Sequence, residues 1–129
     1  MKLLLDTHLL LWAAGGSSRL TARAVERLED PEADLLFSAA SIWEVGIRSA
    51  LGRPDFEVDP NVLRRELLDN GYEELAVTGA HGAHVAALPA IHRDPFDRML
   101  VAQAQIEGVT LLTVDVNIVR YPGPIESVR

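Results

Sequence analysis

The segment Lys2-Leu3-Leu4-Leu5-Asp6-Thr7-His8 carries the clearest fold signal in the chain. Its three leucines do not alternate with polar residues, which predicts a short strand buried on both faces, as in a parallel sheet. Asp6 follows at the carboxyl end of this strand. Ligands of open α/β sheets bind outside the carboxyl ends of the strands, so Asp6 is a candidate functional residue.

A second segment, Thr110-Leu111-Leu112-Thr113-Val114-Asp115, repeats this pattern near the other end of the chain. It again predicts a buried strand that is followed by an aspartate. Two buried strands that both end in aspartate predict one acidic site between them.

The residues between these two strands alternate between helical and strand patterns. Strands that alternate with helices predict an α/β fold with helices layered on the sheet, an α/β/α domain. Asp94-Pro95 gives the clearest helix start, with Asp94 as N-cap and Pro95 at the first helical position. We expect helices at 7–14, 21–30, 38–52, 60–70, 81–88 and 95–107, further strands at 35–37, 73–77 and 125–128, and a turn at Arg53-Pro54-Asp55.

Size and composition limit the possible functions. The 129 residues suffice for one domain with a real core, which we expect to span residues 1–129. The absence of cysteine excludes disulfides, a thiolate zinc site and a cysteine nucleophile. The net charge of −7 disfavours nonspecific polyanion binding, so nucleic-acid chemistry would need a metal ion or a local basic region. With no leader and no apolar run of roughly 20 residues, we expect a soluble, cytoplasmic protein.

Four carboxylates, Asp6, Glu44, Asp97 and Asp115, lie at predicted strand ends or near helix starts. Each also has a purely structural explanation. Asp6 and Asp115 are suitable N-caps, and Glu44 has capping-box spacing from Ser41. Asp97 falls in a first helical turn, where the helix dipole favours an anion.

Together the four carboxylates predict a metal site. Helices of a parallel sheet begin just after the carboxyl ends of the strands, so all four residues should lie at one edge. Neighbouring anions raise one another's pKa values or require a cation. Carboxylate oxygens suit Mg²⁺ or Mn²⁺, which activates water and binds phosphate.

The order of the motifs resembles that of the PIN-domain ribonucleases, and more narrowly the VapC-type toxins of bacterial toxin–antitoxin pairs. The resemblance implies a three-layer fold with a mainly parallel five-stranded sheet, a Mg²⁺-dependent endoribonuclease, a cognate antitoxin and a homodimer. It assigns Asp6, Glu44, Asp97 and Asp115 to the acidic quartet, with Thr113 as a supporting hydroxyl. The matching segments are 5–12, 41–44, 94–104 and 111–115.

Other polar and aromatic residues are interpreted mainly as structural. We expect His8 to be a half-buried, hydrogen-bonded side chain, and His81 and His84 to lie at the surface rather than to bind zinc. The tryptophans are expected in the core or at an interface. Three arginines near the acidic motifs either bind RNA phosphates or form surface ion pairs: Arg48, Arg93 and Arg98.

Other functions would require residues that can be looked for in the sequence. A haloacid-dehalogenase-type phosphatase needs a second aspartate two residues after the first, where this chain has His8. A phospho-acceptor receiver domain needs a lysine at a late strand, whereas the only lysine is Lys2. A non-catalytic α/β interaction domain, with acids that only cap helices, and a DNA-directed PIN-type nuclease remain open alternatives.

Overall fold

The computed structural model describes residues 1–54 and 56–129, so the predicted turn at Arg53-Pro54-Asp55 ends at a residue outside the described part. Strands and helices alternate along the chain as the sequence predicts. The elements are β1 (Lys2–Leu5), α1 (Thr7–Gly15), α2 (Ala22–Leu28), β2 (Asp34–Ser38), α3 (Ala39–Ala50), α4 (Pro60–Asp69), β3 (Glu73–Leu75), α5 (Gly79–Val85), α6 (Pro95–Glu107), β4 (Thr110–Thr113), a 3₁₀ helix (Ile118–Arg120) and β5 (Ile125–Ser127).

The five strands form one parallel sheet in the order β3-β2-β1-β4-β5. Leu3 and Leu5 of β1 pack into a core with side chains of α1 to α4, whereas Leu4 packs on the opposite face with side chains of α6. The predicted α/β/α fold with a five-stranded parallel sheet is therefore confirmed.

The central pair of strands, β1 and β4, positions the first site residues. The chain continues from β1 to β2 and β3 on one side and returns to β4 on the other, which makes the β1–β4 boundary a topological switch point. The backbone amide of Asp6 donates a hydrogen bond to the carbonyl of Leu112 at 3.0 Å. The residues that follow the two strands are thus neighbours.

The start of α6 agrees with the sequence, whereas the predicted capping box of α3 is wrong. The Asp94 carboxylate accepts hydrogen bonds from the amides of Phe96 (2.8 Å) and Asp97 (3.2 Å). The N-cap of α3 is Ser38, which accepts a hydrogen bond from the amide of Ala40. Capping by Ser41 therefore cannot explain Glu44, which lies farther along the helix.

Two histidine predictions need correction. His8 is exposed rather than half-buried, because the buried face of α1 is formed by its leucines and Thr7. His81 is buried rather than at the surface, since α5 begins early enough for its imidazole to complete a capping box with Thr78 and to hydrogen-bond Glu107. Trp43 is 66% exposed and lies outside the core, so an interface is the alternative that stays a prediction for it. In the described part of the chain, no helix is long and apolar enough to cross a membrane.

Candidate functional site

The Asp6 carboxylate is held in place by three hydrogen bonds, two of which cross the β1–β4 boundary. Its Oδ1 accepts a bond from the amide of Leu9 at 2.8 Å, which makes Asp6 the N-cap of α1. Its Oδ2 accepts bonds from the Thr113 hydroxyl and from the amide of Val114. With only 2% of its surface exposed, Asp6 is a carboxylate in a fixed orientation at the floor of the site.

Thr113 connects Asp6 with Asp115. The buried Thr113 hydroxyl donates to Asp6 and accepts a hydrogen bond from the amide of Asp115 at 2.9 Å. Asp115 in turn caps the turn before the 3₁₀ helix, since its Oδ1 accepts from the amide of Asn117 at 2.6 Å. Its second oxygen, Oδ2, faces His92 at 3.9 Å.

His92 lies between Asp97 and Asp115. Its Nε2 is 2.9 Å from Oδ2 of Asp97 and hydrogen-bonds to it. The side-chain donor atoms of His92, Asp94 and Asp97 all lie within 4.8 Å of one another. This is the tightest group of potential metal ligands in residues 1–54 and 56–129, and it does not contain Asp6, Glu44 or Asp115.

Glu44 approaches this group from α3. Its carboxyl is 9% exposed, and its Oε1 has no hydrogen-bond partner among the described residues. An unpaired buried carboxylate oxygen is costly unless a cation or a proton satisfies it. Below, "the acidic centre" means these five carboxylates, which lie at the carboxyl edge of the sheet: Asp6, Glu44, Asp94, Asp97 and Asp115.

The surroundings of the acidic centre raise the pKa values of three of its carboxyl groups. Burial raises the pKa of Asp97, and the negative charges of Asp94, Glu44 and Asp6 raise it further, to about 7, although the His92 hydrogen bond lowers it. Burial likewise raises the pKa values of Asp6 and Glu44 above their usual range. The structure thus brings Asp6, Glu44 and Asp97 together, with Asp115 joined to them through Thr113 and His92.

A hard divalent cation fits this donor set. Closely spaced carboxylates with raised pKa values gain from a cation, and the unpaired Oε1 of Glu44 offers a free oxygen ligand. The imidazole of His92 adds a nitrogen donor of the kind that Mn²⁺ tolerates better than Mg²⁺ does. The arrangement can therefore hold a metal ion beside a polar cleft.

Sequence reasoning missed His92 and assigned Asp94 to capping alone. Asp94 does cap α6, but its carboxylate also contributes to the raised pKa of Asp97. His92 precedes the N-cap by two residues, and only the folded loop shows which way its side chain points. The one available signal was that both residues lie in the short segment that leads into α6 and Asp97.

The raised carboxyl pKa values predict an unusual pH dependence of stability. A carboxyl group whose pKa rises from 3.8 to about 7 on folding binds more protons in the folded state, so the free energy of unfolding falls between about pH 4 and pH 7. We expect the metal-free protein to melt at a higher temperature at pH 5 than at pH 8, measured by circular dichroism. Added MgCl₂ should raise the melting temperature at pH 8 more than NaCl of equal ionic strength. A melting temperature that rises from pH 5 to pH 8 without metal would contradict this account.

Comparisons with known proteins agree with the fold. The model of the PIN domain family matches residues 3–124, and no curated protein sequence matches the chain. VapBC2 of Rickettsia felis, solved with a DNA fragment from its promoter, is similar with a TM-score of 0.72 and 14% identity over 98% of each chain. DNA-bound VapBC of Salmonella typhimurium has a TM-score of 0.68 and 17% identity over 100% of this chain and 99% of its own. FitAcB of Neisseria gonorrhoeae has a TM-score of 0.62 and 21% identity over 90% and 89%.

Proposed function

The chain belongs to the PIN domain family, and from this premise we propose that it is a metal-dependent endoribonuclease that acts as the toxin of a toxin–antitoxin pair. The observation that carries the proposal is the convergence of Asp6, Glu44 and Asp97 at one sheet edge, where burial and the charges of Asp94, Glu44 and Asp6 raise the pKa of Asp97. Membership of the family supports a nuclease. We further propose that the substrate is RNA and that the ion is Mg²⁺, for which Mn²⁺ can substitute.

We assign direct metal binding to Asp6 and Asp97, with Asp115 and Glu44 completing the site directly or through water. When bound, the ion supplies activated water and neutralises charge on the phosphate. Thr113 and the amide of Leu9 keep the Asp6 carboxylate in one orientation. The catalytic residues of this proposal are thus Asp6, Glu44, Asp97 and Asp115.

Glu44 is the best-placed proton acceptor. Its Oε1 is buried without a hydrogen-bond partner among the described residues, and burial raises the pKa of this carboxyl. A base whose pKa lies closer to the working pH accepts a proton from attacking water more effectively. Water would attack phosphorus in line as its proton passes to Glu44, the P–O bond to the leaving ribose oxygen would break, and that oxygen would take up a proton from solvent, with no covalent intermediate on the chain.

The partners follow from the same family resemblance. The similar structures include VapBC assemblies, which supports a cognate antitoxin for this chain. We further infer a homodimer that works in the cytoplasm. An antitoxin that places a basic side chain among the acidic carboxylates would neutralise them and block the site at once.

The decisive experiment incubates the purified protein with total RNA in Mg²⁺, in Mn²⁺ and in EDTA, and maps the new 5′ ends. We expect discrete cleavage sites that appear only with a divalent ion. Single-stranded DNA of matching sequence serves as the parallel substrate. Cleavage of DNA but not RNA would replace the proposed substrate, and metal-independent cleavage or none at all would contradict the proposal.

A further inference from the structure

We propose that single-stranded RNA reaches the acidic centre along a groove in which Arg48 and Arg93 bind the phosphates that flank the scissile one, while Trp43 and Phe96 stack a base. This inference rests on the proposed nuclease function and adds the path of its substrate.

The groove borders the acidic centre directly. It has a volume of about 550 Å³, and its lining includes Glu44 and Asp94 of the centre together with His8, Arg48 and Arg93. The chain as a whole has a net charge of −7, so a polyanion gains affinity only where cationic side chains are gathered. This groove offers such a group next to the carboxylates.

Arg48 is held in position for this role. It lies one helical turn after Glu44 on α3, and its guanidinium carbon is 4.2 Å from the centroid of the Phe56 ring. Stacking on an aromatic ring restrains the long side chain, so less conformational entropy is lost when the guanidinium binds a phosphate.

Arg93 lies in a loop whose backbone is fixed on both sides. The amide of His92 donates to the Tyr121 hydroxyl at 2.8 Å, and Asp94 caps α6. The Arg93 residue itself is exposed and lines the groove.

Arg98, the third arginine candidate of the sequence, has a structural role. Its guanidinium donates to the carbonyls of Val85 (3.0 Å) and Pro89 (2.9 Å) and to the Tyr121 hydroxyl (3.1 Å). It forms neither of the predicted alternatives, a surface ion pair or an open phosphate site. Of the three arginines, Arg48 and Arg93 therefore remain as candidates for binding RNA phosphates.

An aromatic pair connects the groove to a second, apolar cleft. Phe96 lines both the groove and a cleft of about 400 Å³ whose other lining residues include Trp43, Val85 and Met99. Trp43 contacts Phe96 edge to face, with ring centroids 5.1 Å apart and planes at 75°. Because every base has a face that stacks on an aromatic ring, the exposed Trp43 beside the half-buried Phe96 suits an unpaired base next to the bound phosphates.

The test measures RNA binding rather than cleavage, by fluorescence anisotropy of a short single-stranded RNA with Mg²⁺, in an Asp97→Asn background. Arg48→Gln and Arg93→Gln should each weaken binding about threefold to tenfold, and each should lower the salt slope of log Kd by about 0.7. Trp43→Ala should weaken binding roughly fivefold to a hundredfold, and Trp43→Phe much less. Arg65→Gln on α4 is the matched control for charge and should have no such effect.

The outcomes test the RNA groove and the nuclease function separately. Arg48→Gln and Arg93→Gln variants that bind like Arg65→Gln, or a parent that binds no RNA, would overturn the groove. Equal binding of an RNA duplex, or a Trp43→Ala variant that binds normally, would overturn base stacking. A wild-type protein that binds with the expected arginine dependence but never cuts would overturn the nuclease function and leave the groove standing.

Discussion

The Asp97→Asn variant should lose RNA cleavage by roughly a thousandfold or more and yet unfold at a higher temperature than the wild type at pH 8 without metal. Asparagine removes the charge that the metal ion and the phosphate require. It also removes a carboxylate whose pKa burial and three neighbouring charges raise to about 7. Since each tenfold change in proton affinity corresponds to about 1.4 kcal/mol, the relief is of order 4 kcal/mol, well above the ~1 kcal/mol that the helix dipole loses.

The matched control for this variant is Asp34→Asn. Asp34 is exposed at the amino end of β2, at the opposite edge of the sheet. Its replacement removes the same charge and should change neither cleavage nor the melting temperature appreciably. Wild-type cleavage by Asp97→Asn, or a lower melting temperature for it at pH 8, would contradict the assignment.

The Thr113→Val variant should lose about 2–3 kcal/mol of stability and most of its cleavage activity. Valine has nearly the shape of threonine but removes the hydroxyl that donates to Asp6 and accepts from the amide of Asp115. The half-buried amide of Asp115 then loses its acceptor, and Oδ2 of Asp6 keeps only the 3.2 Å hydrogen bond from the amide of Val114. Chemical denaturation measures the first effect, and RNA cleavage in Mg²⁺ measures the second.

The Thr113→Ser variant distinguishes the effect of losing the hydroxyl from the effect of losing the methyl group. Serine keeps both hydrogen bonds and loses only a buried methyl, which costs about 1 kcal/mol. We expect Thr113→Ser to cut RNA at close to the wild-type rate. If Thr113→Val and Thr113→Ser behaved alike in cleavage, Thr113 would have no role in orienting Asp6.

Most of the fold was predictable from the sequence because its strands are buried on both faces. The leucine runs of β1 and β4 leave no alternation that would suit an antiparallel, half-exposed strand. Asp94, Pro95 and Gly108 mark the two ends of α6 by capping chemistry alone. The start of α3 was predicted correctly, but its capping box was not, because Ser38 and Ser41 are both acceptable caps and only the hydrogen bond between Thr7 and Ser41 distinguishes them.

The types of residue in the site were predictable from the sequence, whereas the hydrogen bonds that connect them were less so. Strand ends and helix starts identified Asp6, Glu44, Asp97 and Asp115, and their roles stay predictions. The bond from His92 to Asp97 joins a loop to a helix, and no periodicity encodes the direction of a loop side chain. The burial of His81 likewise depends on Glu107, which comes to it from another helix.

The hydrogen bond between Thr113 and Asp6 spans 107 residues of the sequence. During synthesis the amino-terminal part of a chain leaves the ribosome first. Thr113 is therefore not available to Asp6 until nearly all of the protein has been made. A nascent or prematurely terminated chain without β4 carries Asp6 and Glu44 but no complete site. For the proposed endoribonuclease, the order of the strands thus means that the complete site can form only near the end of synthesis.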